Sequence, residues 1–290
     1  MFQFKFIKEF IPIAYDNHVY QAVLYVGEKV VDITNSENIL SISPNIFGFF
    51  SEEHNYDFSE KTSVVLKYFK KNSLLSSNNL TYSKKISLTG KGYLFLFKVK
   101  NTSYKNFQTI KISVFNLLLF LKKKGKMEVS FNQNKQIISF FSIPRTVYLC
   151  SFTSMENQSC IFPIDLVIDK SDEDLMILSI RKSNRIVPKL SQEKKAVIIC
   201  SSYINKREIL KLGKYHSKSF PKISDLEFKT FNSKIFNYNI PCFLDSYMEL
   251  EIRIEKDIGQ QIVFVGKVIH KKTGASKDPP LAHIHSLFHS

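Results

Sequence analysis

Arg181, Lys182 and Ser183, with Arg185 close behind, follow directly on the apolar run Leu175–Ile180. Cations and a hydroxyl at the end of a buried strand suit a phosphate dianion. Arg offers a two-pronged donor, Ser adds a hydrogen bond, and the turn exposes backbone N–H groups. A solvated basic turn would look the same, so both readings stand at this point. The other residues with chemistry to offer are scattered. His283 and His285 alternate and would share one face of an extended tail, with His289 beyond and His216 upstream. No carboxylate cluster lies beside them in sequence, which argues against a metal site. Cys150, Cys160, Cys200 and Cys242 lack the paired spacing of zinc ligands or of a disulfide framework. No motif fixes a Ser/His/Asp or Cys/His arrangement, so no catalytic residue is assigned.

Composition narrows the classes further. The 290 residues are 44% hydrophobic, with 26 Phe and 13 Tyr, enough for two domains with sizeable cores. Glycine is scarce, at 9 residues, and neither a dinucleotide fingerprint nor a P-loop occurs. Any nicotinamide is therefore not held on a Rossmann unit in this chain. The formal charge of +15 fits a solubilising lysine coat. Its sharper alternative is attraction to polyanions. The basic residues are spread over both halves and no nucleic-acid-binding pattern appears, so nucleic acid is disfavoured as a partner. The first ten residues carry charges within their apolar stretch, and the longest apolar run, Val114–Leu121, is too short to span a bilayer. A cytoplasmic protein without a membrane segment is expected.

The elements that must position these residues fall into two parts. Residues 1–125 read as an α/β or α+β domain of unassigned role. Tyr20–Asp32 reads as a hairpin around Gly27-Glu28, Ser59–Lys71 as a short helix and Leu74–Ser83 as a loop. Gly92–Val99 reads as a strand and Thr109–Lys124 as a helix, with a strand as its alternative. Lys122–Lys124 and Gly125 suit a helix C-terminus, and the boundary is placed there. Residues 126–290 are richer in strands. Glu128–Phe131 opens them, and Thr146–Ser151, Leu175–Ile180, Ala196–Ser201, Met248–Ile254 and Gln261–His270 follow, with Gly266 as a bulge or close-approach point. Asn205–Leu212 reads as a helix ended by Gly213. Many short strands and few helices point to a closed or partly closed barrel. No internal repeat is evident.

The order of these segments resembles the flavin reductase-like FMN-binding split-barrel family, which includes flavoredoxin-type proteins. The segments that carry the resemblance are Ile143–Val147, Ser151–Ser154 with the turn Met155–Ser159, Cys160–Asp165, Leu178–Ser183, Ala196–Ser201, Leu212–His216, Glu249–Ile254, Phe264–Val268 and Leu281–His285. They cover roughly residues 127–290. The resemblance implies a mainly β, Greek-key split barrel with a non-covalent FMN (or FAD), usually at a homodimer interface. It also implies hydride transfer from NADH or NADPH to the flavin and onward electron transfer. An FMN-binding electron carrier or sensor without nicotinamide turnover is the alternative. Arg181, Lys182, Ser183 and Arg185 would then hold the FMN phosphate. Ser151, Phe152 and Thr153, with Pro163, Ile164 and Asp165, would line the isoalloxazine. Asp165 would face the ring or ribityl chain, or pair with Arg145 or Arg181. His216 and the tail with His283, His285 and His289 would lie near the flavin or the dimer contact. Cys160 and Asp165 depart from the family, which often has Asn at the first position and a small hydroxyl residue at the second.

Overall fold

The computed structural model describes residues 9–15, 19–52, 56, 58–88, 90–122, 129–153, 159–213, 227–275 and 278–288. The chain divides into two compact units. The first comprises Met1–Ile11, Asp16–Arg145 and His283–Ser290, and the second Pro12–Tyr15 and Thr146–Ala282. Strands β1 (Phe10–Ala14), β9 (Arg145–Thr146) and β19 (Leu281–His285) are the places where this division falls. The boundary expected near residue 125 lies outside the described residues. So do His216, His289 and residues 123–128.

In the first unit, β2 (Tyr20–Val26) and β3 (Lys29–Asp32) form the expected hairpin, with Gly27 at φ 58° in its turn. β4 (Glu37–Ile42), β5 (Asn45–Ser51), β6 (Val64–Lys70), β7 (Ser73–Ser87) and β8 (Tyr93–Tyr104) complete an antiparallel sheet of order β3-β2-β6-β7-β8-β5-β4. Helices α1 (Asn106–Lys122) and α2 (Phe131–Phe140) follow. Strands first and helices after make this unit α+β. The mainly β class expected for the C-terminal half is observed in the second unit.

Three local expectations are corrected. The segment expected as a helix near Ser59–Lys71 contains strand β6. Val64, Leu66 and Tyr68 are buried in alternation and its first residues are β-branched, so the pleat and not the helical turn buries them. The segment expected as a loop, Leu74–Ser83, lies inside the 15-residue strand β7. Ser76 and Asn78 are core groups with partners. Asn78 Nδ2 donates to Ser139 Oγ at 2.8 Å, Thr102 Oγ1 donates to Asn78 Oδ1 at 2.6 Å, and Ser76 Oγ lies 2.8 Å from Ser139 Oγ. Phe131 begins a helix, not a strand. Ser130 caps α2 by accepting from the Gln133 N–H, and Gln133 returns a bond to the Ser130 N–H.

Arg145, considered as a partner for Asp165, is instead buried in the first unit. Its Nη1 meets Glu37 Oε1 at 2.5 Å, its Nη2 donates to Tyr68 Oη at 2.9 Å and its Nε donates to Phe140 O at 2.9 Å. Tyr68 Oη donates to the other Glu37 oxygen at 3.1 Å. Each charged atom has a partner, which is the condition for keeping a buried ion pair.

In the second unit, β10 (Tyr148–Thr153), β11 (Ser159–Ile164), β12 (Val167–Lys170), β13 (Leu175–Arg181), β14 (Lys195–Cys200), β17 (Tyr247–Asp257) and β18 (Gln261–Lys272) form one antiparallel sheet. Its order is β11-β10-β14-β17-β18-β13-β12. Helices α3 (Ile186–Glu193) and α4 (Lys206–Leu212) and the ribbon of β15 (Thr230–Asn232) and β16 (Asn239–Pro241) lie in its connections. The edge strands β11 and β12 are consecutive in the chain. Only Asp165 and Leu166 separate them. Three residue steps span at most about 11 Å, whereas seven flat strands would hold their edges about 29 Å apart. The sheet must therefore curl until its edges nearly meet, leaving a barrel split along one seam. Leu149, Ile198, Leu250, Phe264 and Leu178 fill its core. Gly266 is a close-approach point as expected, since a methyl there would lie 3.1 Å from Leu250 Cβ.

His285 ends β19 in an aromatic nest. Its ring lies 4.8 Å from Phe115 and 5.7 Å from Phe10, and it is buried. Burial pulls its pKa down to about 4. Above pH 6.5 both folded and unfolded chains hold it neutral. As pH falls from 6.5 toward 4, the unfolded chain takes the proton first and the folded state loses about 3 kcal/mol. The melting temperature of His285→Phe should therefore fall less steeply than wild type across that window. Parallel slopes would contradict the assignment.

Candidate functional site

The basic turn sits where a curled sheet brings its two edges together. β13 ends at Arg181, paired with Gln261 of β18. Asn184 N–H donates to Arg181 O at 2.8 Å, closing the turn, and Asn184 Oδ1 accepts from Ile186 N at 3.1 Å where α3 begins. Arg181, Lys182, Ser183 and Arg185 are all exposed. Lys182 Nζ is shared with the exposed Asp257 carboxylate at 2.5 Å.

A hydrogen bond holds the link carrying Asp165 against β13. Val167 pairs with Leu178, and Leu166 O accepts from Ser179 N at 2.9 Å. Asp165 precedes Leu166 in the two-residue link between β11 and β12. Half-buried Pro163 and buried Ile164 precede it on β11. A methyl on Gly213, the cap of α4, would stand 3.6 Å from Pro163 Cγ, so α4 ends against this strand. The sequence after Gly213, with His216, is outside the described residues.

Ser151, Phe152 and Thr153 contact the ribbon of β15 and β16. Ser151 Oγ donates to Asn239 O at 2.6 Å. Thr153 Oγ1 accepts from the backbone and side-chain nitrogens of Asn239, each at 3.0 Å. Phe152 packs on Tyr238 at 5.2 Å between ring centroids. The sequence gives no sign of this ribbon, because Asn239 lies 86 residues from Thr153.

A cleft of about 360 Å³ opens at the other end of β10, lined by Tyr148, Cys200, Asn205, Cys242, Asp245 and Asp278 among others. Nothing in the sequence order foretold it. Its carboxylates disfavour a phosphate and its walls are tied down. Tyr148 Oη donates to Asp169 Oδ2 at 2.7 Å, and Asp245 Oδ2 accepts from Ala275 N at 2.9 Å. Burial pushes the Cys200 thiol up to about 11 and the Cys160 thiol up to about 12, so neither is a thiolate nucleophile at neutral pH. Among the described residues no group of His, Cys, Asp and Glu could hold a metal ion.

The ribbon depends on Glu249, buried at a bulge in β17. Its carboxylate accepts from Ser233 Oγ at 2.7 Å, Ile235 N at 3.0 Å and Phe236 N at 2.7 Å. Glu249→Ala strands these donors and should cost about 3 kcal/mol in urea unfolding. An unchanged midpoint would show that the turn does not depend on the carboxylate.

Among solved structures, the chain is similar to an FMN-binding protein from Thermus thermophilus with bound p-hydroxybenzaldehyde. The identity is 16%, over 48% of this chain and 80% of that one, with a TM-score of 0.42. It is also similar to the NADH:FAD oxidoreductase SgcE6 of Streptomyces globisporus C-1027, at 10% identity over 56% and 94%, TM-score 0.48. A third is nitrilotriacetate monooxygenase component B from Bacillus cereus, at 13% identity over 55% and 89%, TM-score 0.46. No family model and no curated protein matches the chain. The solved structures it is similar to include flavin reductases and FMN-binding proteins, the group that the order of its segments resembles.

Proposed function

We propose that the second unit binds FMN non-covalently and serves in electron transfer from NADH or NADPH. The observation that supports this most is the exposed basic turn Arg181–Arg185 at the end of β13, against which the link carrying Asp165 and Leu166 is held by the Ser179 N to Leu166 O hydrogen bond, just after Pro163 and Ile164 of β11. The phosphate end fits its ligand. Arg181, Arg185 and Ser183 present cationic and hydroxyl donors, and Lys182 joins them by leaving Asp257.

The ring end fits in part. Pro163 and Ile164 offer an apolar wall, and Asp165 an acceptor for ribityl hydroxyls. Ser151 and Thr153 keep their hydroxyls on Asn239, so their contribution would be to fix the strand and not to touch the ring. The flavin, when bound, supplies hydride acceptance at N5 from the nicotinamide C4 and onward electron transfer. The residues around it bind and orient. No protein nucleophile is required, in keeping with the raised thiol pKa values. A homodimer completing the site belongs to the same proposal. No described helix is long and apolar enough to cross a membrane.

Protein incubated with FMN and desalted should show the flavin absorbance bands, and NADH or NADPH should bleach them under anaerobic conditions. Uptake without bleaching would favour the electron carrier or sensor. Colourless protein after incubation would remove the flavin reading. The double variant Arg181→Ala, Lys182→Ala should retain its fold by circular dichroism and take up FMN at least tenfold more weakly.

A further inference from the structure

The two units share one strand plan. Numbered within each unit by chain order, the first sheet reads β3-β2-β6-β7-β8-β5-β4 and the second β11-β10-β14-β17-β18-β13-β12. Both are the order 2-1-5-6-7-4-3, antiparallel at every pairing. In both, strands 2 and 3 are consecutive in the chain yet lie at opposite edges. The first unit links them through residues 33–36, so the same length argument curls its sheet too.

The register matches residue by residue at this link. Glu37 pairs with Phe49, and Ser36 O accepts from Phe50 N at 2.7 Å. Val167 pairs with Leu178, and Leu166 O accepts from Ser179 N at 2.9 Å. The expectation of no internal repeat is thus corrected at the level of fold. The repeat is hidden in sequence because its connections differ. Strands 5 and 6 are joined by the two-residue turn Lys71-Asn72 in the first unit and by residues 201–246, with α4 and the ribbon, in the second.

Aligned on that link, Phe50 corresponds to Ser179, Ser51 to Ile180 and Glu52 to Arg181. Glu52 is exposed, as Arg181 is. The residue that opens the basic turn of the second unit is an acid in the first. A carboxylate there repels the phosphate that a guanidinium would hold. We infer that the chain is a tandem of two split barrels, of which only the second takes a phosphorylated ligand, so that each chain binds one FMN. This rests on the reading of the Arg181 turn as the flavin phosphate site.

The test is a calorimetric titration of the full chain with FMN, alongside the variants Arg181→Ala and Glu52→Ala. Both positions are exposed, and circular dichroism confirms that each variant folds. One FMN per chain is expected, with affinity reduced at least tenfold by Arg181→Ala and unchanged by Glu52→Ala. Two FMN per chain, or a loss with Glu52→Ala matching that with Arg181→Ala, would overturn the inference while leaving flavin binding intact. No binding by the wild-type chain would instead overturn the flavin reading, and the inference with it.

Discussion

Asp165 and Leu166 are all that separates the two edge strands of the second unit's sheet. That short tether imposes the curl, because no flat sheet of this width could be closed by it. It also fixes which residues meet. The C-terminal end of β11, an edge strand at one side, is delivered to the C-terminal end of β13 at the other. The hydrogen bond from Ser179 N to Leu166 O holds the link that follows Pro163 and Ile164 against β13. The candidate site is a consequence of chain connectivity before it is a matter of side-chain chemistry.

The same constraint accounts for what the sequence disclosed. Continuous apolar runs such as Leu175–Ile180 and Ala196–Ser201 are buried on both faces, and strands of that kind are readable one by one. The basic turn was readable because it breaks such a run. β7 was not, because its core face is made of Ser76 and Asn78, whose burial depends on Ser139, Ser142 and Thr102 far away in the chain. β6 was misread because Val64, Val65, Leu66, Tyr68 and Phe69 satisfy helical and alternating periods alike. Only the pairing partners β2 and β7 decide it. The engagement of Ser151 and Thr153 by Asn239 was invisible for the same reason.

The first unit shows how far a strand plan can persist while its sites change. Its sheet keeps the order, the antiparallel pairings and the hydrogen bond at the seam. Around that frame it has the tight turn Lys71-Asn72 where the second unit has residues 201–246, and a carboxylate where the second has Arg181. A shared strand order assigns no activity by itself, so the barrel alone gives the first unit none. The buried Arg145–Glu37–Tyr68 cluster, whose charged atoms are matched to one another and to Phe140 O, belongs to that unit's interior and takes no part in the candidate site.

The most direct measurement is a crystal structure of the full chain soaked with FMN. The phosphate should lie within hydrogen-bonding distance of Arg181 and Ser183, with the ring along Pro163–Asp165 at the seam of the second barrel. A phosphate bound elsewhere, whether in the acidic cleft near Asp245 or on the first unit, would contradict the placement of the site.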